Sequence, residues 1–228
     1  MAKGSDTNTK TRILDSAELA FADFGFEAAS LRHIIAVAGV NLAAVHYHFG
    51  SKEGLIRAVF ARRIGPLNEE RLATLDAVET RAGKKAPSLE QILQALIGPA
   101  LRLASDSAKG GANVMRLFGR TIAEPSDDLQ AMFRELFGDV AKRFIGAFHR
   151  ACPELPGSVL FWRFHFVIGA MAQTMCDHTN IKLMSGGKCD LNNTDEVLEQ
   201  MASFLAAGFR APVKRASRTV KKRKVATR

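Results

Sequence analysis

The stretch spanning 30–52, SLRHIIAVAGVNLAAVHYHFGSK, constrains this chain more than any other, because it reads as helix, tight turn, helix. Ser30 is a good N-cap for a first helix whose apolar positions Leu31, Ile34, Ile35 and Ala38 recur at helical spacing. Gly39 ends that helix by supplying the left-handed backbone of a sharp turn. Asn41 caps a second helix over 42–48, and Ser51 caps a third. Two helices joined by a short Gly-containing turn form a helix-turn-helix, whose second helix enters the major groove of DNA. An ordinary helical hairpin is the alternative.

The short second helix needs tertiary support, so Val45 and Phe49 are expected to pin it while its other face stays free. That face carries His46, Tyr47 and His48, with Leu42, Ala43 and Ala44 at its tip. A merely solvated face would carry Lys and Glu; small, apolar and aromatic residues suit a surface that meets another molecule. Lys52 lies in the first turn of the next helix, where a free cation opposes the helix dipole and a bound phosphate would explain it.

The segment 11–60 resembles the DNA-binding domain of the TetR family of bacterial transcriptional regulators. The residues carrying the likeness are Arg12-Ile13-Leu14, Phe21, Gly25-Phe26, Ser30, Ile34, Ala38-Gly39-Val40, Tyr47, Phe49 and Ser51-Lys52-Glu53. The resemblance implies a homodimer on a palindromic operator in double-stranded DNA, and a ligand pocket in a C-terminal helical domain. It also implies base-edge or methyl contacts from Leu42, Ala43 and His46, and phosphate contacts from Ser30, Tyr47, His48 and Lys52. Arg32, Asn41 and Ala44 complete the candidate DNA-binding set. Ala43-Ala44 stands where the family often has Gly-Thr, which removes a phosphate-binding hydroxyl, and His46 stands where it often has Tyr. Apolar side chains in the major groove recognise the thymine methyl, so A·T pairs are expected beneath Leu42 and Ala43.

The chain has 228 residues, enough for one or two domains, and carries a formal charge of +9. Nine basic residues and no acidic one lie from Arg210 onward, so the whole excess sits in the tail and the body is formally neutral. The polar 1–10 stretch lacks the apolar core of a signal peptide. The most apolar stretch, 159–175, is broken by Arg163 and His165, so no membrane association is expected. Cys152, Cys176 and Cys189 cannot all pair within one chain, which fits a reducing cytoplasm.

The fold expected is all-α. It comprises a disordered N-terminal arm over 1–10, a three-helix helix-turn-helix domain over 11–60, a helical ligand-binding and dimerisation domain over 61–211 and a disordered basic tail over 212–228. About nine helices are expected. The first spans 11–24, with a stripe of Ile13, Leu14, Ala17, Phe21 and Phe24. Gly65-Pro66 is expected to interrupt the fourth. Later helices fall at 89–104, 112–123, 126–151, 157–183 and 194–211, separated by Gly- and Pro-bearing connectors. The tail could add nonspecific phosphate contacts or serve only solubility.

No Gly-rich phosphate loop, GxSxG or HExxH occurs. His149-x-x-Cys152 and Cys176-x-His178 each offer only two metal ligands. No catalytic residue, metal or cofactor is expected, and the chain is not read as an enzyme. The C-terminal region is rich in Phe and Met at helical spacing, mostly core, within which a ligand cavity must still lie. Arg116, Arg163 and His165 interrupt apolar helices, and each needs either an internal carboxylate or an anionic ligand. The candidate ligand set is Arg116, Phe133, Phe137, Phe161, Arg163, His165, Met171 and Met175.

The segments 160–166, 169–170, 115–117 and 204–208, together with 40–45, look like those of PsrA-type regulators within the same family. That resemblance implies a repressor of fatty-acid β-oxidation genes, relieved by long-chain fatty acids or their CoA thioesters. The family also places its dimer interface on the last two long helices, where Gly169, Ala170, Gln173, Ala202, Leu205 and Ala206 are the candidates. Two rival readings are an efflux-system repressor sensing xenobiotics, and a nonspecific DNA-coating protein driven by its tail.

Overall fold

In the computed structural model, residues 3–106, 110–176 and 180–213 are described. They form ten helices and, among the described residues, no strand. In chain order these are α1 (Lys3–Ala28), α2 (Leu31–Ala38), α3 (Leu42–Phe49), α4 (Lys52–Ala82), α5 (Leu89–Ser105), α6 (Gly111–Ala123), α7 (Asp127–Ala151), α8 (Gly157–Cys176), α9 (Asn180–Met184) and α10 (Thr194–Arg210).

Capping explains where most helices begin. Ser30, Asn41, Ser51, Ser88, Ser126 and Asn193 each accept a backbone N–H from the first turn with a side-chain oxygen. At Ser88 the device is reciprocal, since Gln91 bonds back to the Ser88 N–H.

Two apolar clusters organise the chain. The first gathers Ile13, Phe21, Ile34, Val45, Leu55 and Phe60 from α1–α4 and extends to Leu117, Leu129 and Met132 of α6 and α7. The second is built on α5, whose Ile92, Leu93, Leu96 and Ile97 are fully or almost fully buried beneath α4, α7, α8 and α10. Phe118 packs against both.

Three expectations about the elements need correction. Residues 3–10 of the expected arm are helical, because α1 starts at Lys3, with Asp6 in its first turn. The Asp6 carboxylate lies 3.2 Å from His48 Nε2, which ties the start of α1 to α3. α1 also continues past Phe24 and breaks its helical geometry only at Gly25, whose φ is 84°.

The interruption at Gly65-Pro66 is absent: α4 runs unbroken for 31 residues. Pro66 faces solvent, where water can satisfy the carbonyl whose partner is missing, while Ile64, Leu67 and Asn68 stay buried around it. Finally, the single helix expected over 157–183 is described as two, α8 and α9, with 177–179 outside the described residues. The basic tail from 214 onward also lies outside them.

Candidate DNA-reading surface and ligand cavity

The reading head is held by hydrogen bonds from side chains to helix ends. Gly39 takes the left-handed conformation (φ 62°, ψ 41°) that turns the chain between α2 and α3. Arg12 of α1 donates to the Ala38 carbonyl and, at 2.9 Å, to that of Gly39, satisfying acceptors that the end of α2 leaves open. His46 Nδ1 lies 2.8 Å from the Gly50 carbonyl at the far end of α3.

On α3, Val45 is fully buried and Phe49 packs on the same core, as the spacing predicts. Leu42, Ala43, His46 and Tyr47 are exposed, with Tyr47 at 77% of its full accessibility. Ser30, Arg32 and Asn41 are exposed beside them, although the Asn41 side chain is engaged by the Ala44 N–H. Ala44 is half-buried against the core, so it supports the surface more than it presents one.

Two expected phosphate ligands are placed otherwise. The His48 ring faces inward, its side chain only 8% exposed, against Asp6, Tyr47 and Phe49. One residue along a helix turns a side chain by about 100°, so three consecutive residues cannot all share the free face. Lys52 is not a free cation at a helix start: its ammonium donates to the Glu27 carbonyl at 3.0 Å, at the end of α1. A cation there complements the negative end of α1 while it opposes the positive end of α4.

α6 and the loop after it clamp onto the break in α1. Arg116 pairs with Asp23 at 2.6 Å, and Arg120 donates to the Asp23 carbonyl at 2.8 Å. Glu124 accepts the Phe26 N–H at 2.9 Å. A Cβ on Gly25 would collide with that carboxylate, so the positive φ and the close approach both call for glycine. Glu18, 3% exposed, is neutralised by Arg62 and Arg63 of α4, each at 2.5 Å.

Between α4, α5, α6, α7 and α8 lies a cavity of about 590 Å³. Its walls are overwhelmingly apolar, with Phe118, Phe133, Phe137, Phe164, Met171 and Met175 the largest apolar side chains. Ser126, Gln130 and Arg134 edge it where the wall is exposed. Phe133 and Phe137 stack at 5.7 Å, and Phe60 of the head touches Phe118 and Phe133 at 5.8 and 5.3 Å. The lining is therefore continuous with the core beneath the reading head.

The cavity gathers Phe133, Phe137, Met171 and Met175 from the candidate ligand set and leaves out the other four. Arg116 is exposed on α6 and already paired with Asp23. Arg163 donates to the carbonyls of Phe209 and Ala211, closing the end of α10. Phe161 and His165 project from the outer face of α8. An interruption in an apolar helix marks an inward group only if its helical phase points inward, and the phase of these residues points out.

The cation that does line the cavity is Arg71, 3% exposed. Its Nε donates to the Leu96 carbonyl at 2.9 Å, Nη1 to Asn68 Oδ1 at 3.3 Å, and Nη2 to Met171 Sδ at 3.5 Å. Burial lowers its pKa to about 10, against a smaller opposing influence from Glu70, so it remains cationic at neutral pH. The signal was present in phase: Phe60, Ile64, Leu67, Arg71, Leu75 and Val78 form one buried ridge of α4.

The candidate interface divides similarly. Ala202, Leu205 and Ala206 are buried within the chain, where α10 packs on α5, and so are unavailable to a second copy. Gly169 and Gln173 are exposed and Ala170 is half-buried. The aromatic groups left open on α8 and α10 are instead Phe161, Trp162, Phe166 and Phe204, the last 78% exposed. α8 is long and apolar enough, by length and composition alone, to cross a membrane; its low burial reflects this open aromatic face. Among the described residues, no group of three or more His, Cys, Asp or Glu could hold a metal ion.

Residues 94–208 match the protein family described as "Tetracyclin repressor-like, C-terminal domain", and 13–59 that described as "Bacterial regulatory proteins, tetR family". Among curated proteins, the repressor AcnR of Corynebacterium glutamicum is 38% identical over 53 residues, 23% of this chain and 28% of its own length. The regulator BetI of Rhizobium meliloti is 31% identical over 77 residues, 34% of this chain and 38% of its own. These matches thus span well under half of either relative. Similar solved structures include the fatty acid degradation regulator FadR of Bacillus halodurans (TM-score 0.64, 16% identity, 90% of this chain and 97% of that one). FadR of Bacillus subtilis in complex with stearoyl-CoA gives 0.63 at 18% identity, covering 85% and 97%. A SmeT–triclosan complex gives 0.60 at 22% identity, covering 87% and 90%. At these identities the structural likeness concerns the fold.

Proposed function

Because the chain belongs to the TetR family of bacterial regulators, whose members are DNA-binding proteins rather than enzymes, we propose that it is a homodimeric transcriptional repressor. An apolar ligand with an anionic head, a long-chain fatty acid or its CoA thioester, releases it from a palindromic operator and so induces β-oxidation genes. The observation that carries this reading is the 590 Å³ apolar cavity whose aromatic wall runs into the core of the reading head. That volume lies in the usual range for small-molecule sites. The neighbouring FadR structures, one holding stearoyl-CoA, are in keeping with an acyl ligand.

The DNA contacts belong to the exposed side of α3 and the tip of α2. Leu42, Ala43 and His46 meet base edges; Tyr47, Ser30 and Arg32 meet the backbone. Each subunit delivers one α3 to a half-site, and the two must match successive major grooves. The second copy covers Phe161, Trp162 and Phe166 of α8 and Phe204 of α10, large aromatics that stand exposed. Ligand in the cavity presses on Phe118 and Phe133, which touch Phe60, and on α6, which with the residue after it grips α1 through Arg120 and Glu124. The ligand favours a head spacing that no longer fits both grooves. A cytoplasmic location follows from this role.

A second reading, release by a neutral or cationic xenobiotic, has the SmeT–triclosan neighbour in its favour. The cavity's buried cation, which no carboxylate pairs with among the described residues, disfavours a cationic ligand.

Fluorescence anisotropy with DNA from upstream of the protein's own gene and a scrambled duplex tests the proposal, with oleate and oleoyl-CoA as arms. Specific binding reversed by either lipid is expected. Specific binding that neither lipid disturbs would overturn the acyl reading and leave the repressor. Phe204→Glu combined with Trp162→Glu should yield monomers by light scattering and abolish operator binding.

A further inference from the structure

We propose that Arg71 is a carboxylate anchor, so that the cavity takes a free acid head-first, with the acid group inside and the apolar tail toward the exposed rim. This deepens the reading of the cavity as the inducer site and rests on it.

Arg71 lines the cavity and is almost wholly removed from water, and its Nη2 reaches the sulfur of another lining residue, Met171. Its three hydrogen bonds go to a backbone carbonyl, an amide oxygen and a thioether sulfur, all neutral. They engage three of the five N–H groups a guanidinium carries, and sulfur is a weak acceptor. The nearest acid in sequence, Glu70, is exposed and bonds Arg102 at 2.7 Å instead. Among the described residues no carboxylate pairs with Arg71, whereas Glu18 across the molecule is met by two arginines. Burying a cation without a counter-ion is costly, and an arriving carboxylate would recover that cost through a charge-assisted, fork-shaped contact.

Position decides the orientation. Arg71 lies among the buried wall residues Leu67, Leu96, Ala100 and Met171, while the exposed edge carries Gln130 and Arg134. A carboxylate reaches Arg71 only by entering first, and a tail then extends along Phe118, Phe133 and Phe137. A CoA thioester has no carboxylate at its acyl end, and its nucleotide is far too large for the inner wall. The geometry therefore selects the free acid over the thioester.

The test uses the full chain and calorimetric titration below micelle-forming concentrations. The probes are oleate, oleyl alcohol, oleoyl-CoA, 2-naphthoate and 2-naphthol. Wild type should bind oleate at least about tenfold more tightly than oleyl alcohol, the scale of a charge-assisted contact. Arg71→Met should bring that ratio near one, Arg71→Lys should retain part of it, and Arg116→Gln, outside the cavity, should leave it unchanged. Thermal melts establish that each variant is folded. An undiminished ratio in folded Arg71→Met, or equal binding of acid and alcohol to wild type, overturns the proposal. Binding of the thioester and alcohol with no preference for acid would sink the anchor and keep the acyl reading. Preference for naphthoate over naphthol, lost in Arg71→Met, with no lipid bound, would keep the anchor and remove the long chain.

Discussion

In the reading head, side chains close the helix ends: Ser30, Asn41 and Ser51 cap the starts of α2, α3 and α4, while Arg12 and Lys52 reach back to terminal carbonyls. In the C-terminal domain the centre is hollow and holds a cation whose acceptors are all neutral. The first region is built for a fixed shape. The second gives up packing and charge compensation, which on the proposed function a ligand would supply.

That contrast is open to measurement. The largest effect is expected from Ile34→Ala, fully buried in the packed head core, at about 3 kcal/mol by denaturant unfolding. Met175→Ala should cost less, about 2 kcal/mol, because Met175 borders the cavity and has fewer packing contacts to lose on that side. Equal costs would mean that the two cores are packed alike. Gly25→Ala comes next: an alanine must adopt φ 84° and displace the Glu124 carboxylate, for a loss of about 1–2 kcal/mol. It should also weaken operator binding in the same assay, since α6 loses its hold on α1.

Arg71→Met is expected to change stability in the opposite sense, raising it by about 1 kcal/mol, because an apolar side chain of similar length replaces a buried cation that no carboxylate pairs with among the described residues. A clear loss would show that the bonds to Leu96 and Asn68 outweigh the desolvation. The smallest effect concerns Cys176 on the cavity wall, whose thiol burial pushes up from the ordinary value of 9.0. A raised pKa means less thiolate at any given pH. Alkylation of Cys176, followed by mass spectrometry, should therefore keep accelerating above pH 9.0 and should slow when ligand fills the cavity.

The head was largely legible in the sequence because its information is local. A cap, a turn glycine and a buried valine declare themselves within a few residues, and Ser30, Gly39, Asn41, Val45 and Ser51 do what their spacing implies. His48 and Lys52 were misplaced because their partners, Asp6 and Glu27, belong to α1, which a linear reading does not bring near. In the ligand domain the lining phenylalanines were visible as a class, but a void is a property of several helices at once. Arg116 and Arg163 drew attention as charges in apolar stretches, whereas Arg71 stood in a charged one, Asn68-Glu69-Glu70-Arg71, and only its helical phase betrayed it. Family resemblance does not correct that kind of error, since it reports kinship and not which way a side chain points.

The unbroken course of α4 has a mechanical meaning. Lys52 at its start touches the head and Arg71 borders the cavity, nineteen residues later. At 1.5 Å per residue that is a rod of about 28 Å. A tilt of about 5° at the cavity end therefore swings the other end through roughly 2.5 Å, and two subunits moving oppositely change their spacing by about 5 Å. A helix broken at Pro66 would have absorbed that rotation at the joint. Because it is continuous, a small displacement beside Arg71 would, on the proposed mechanism, reach the DNA as a mismatch of length.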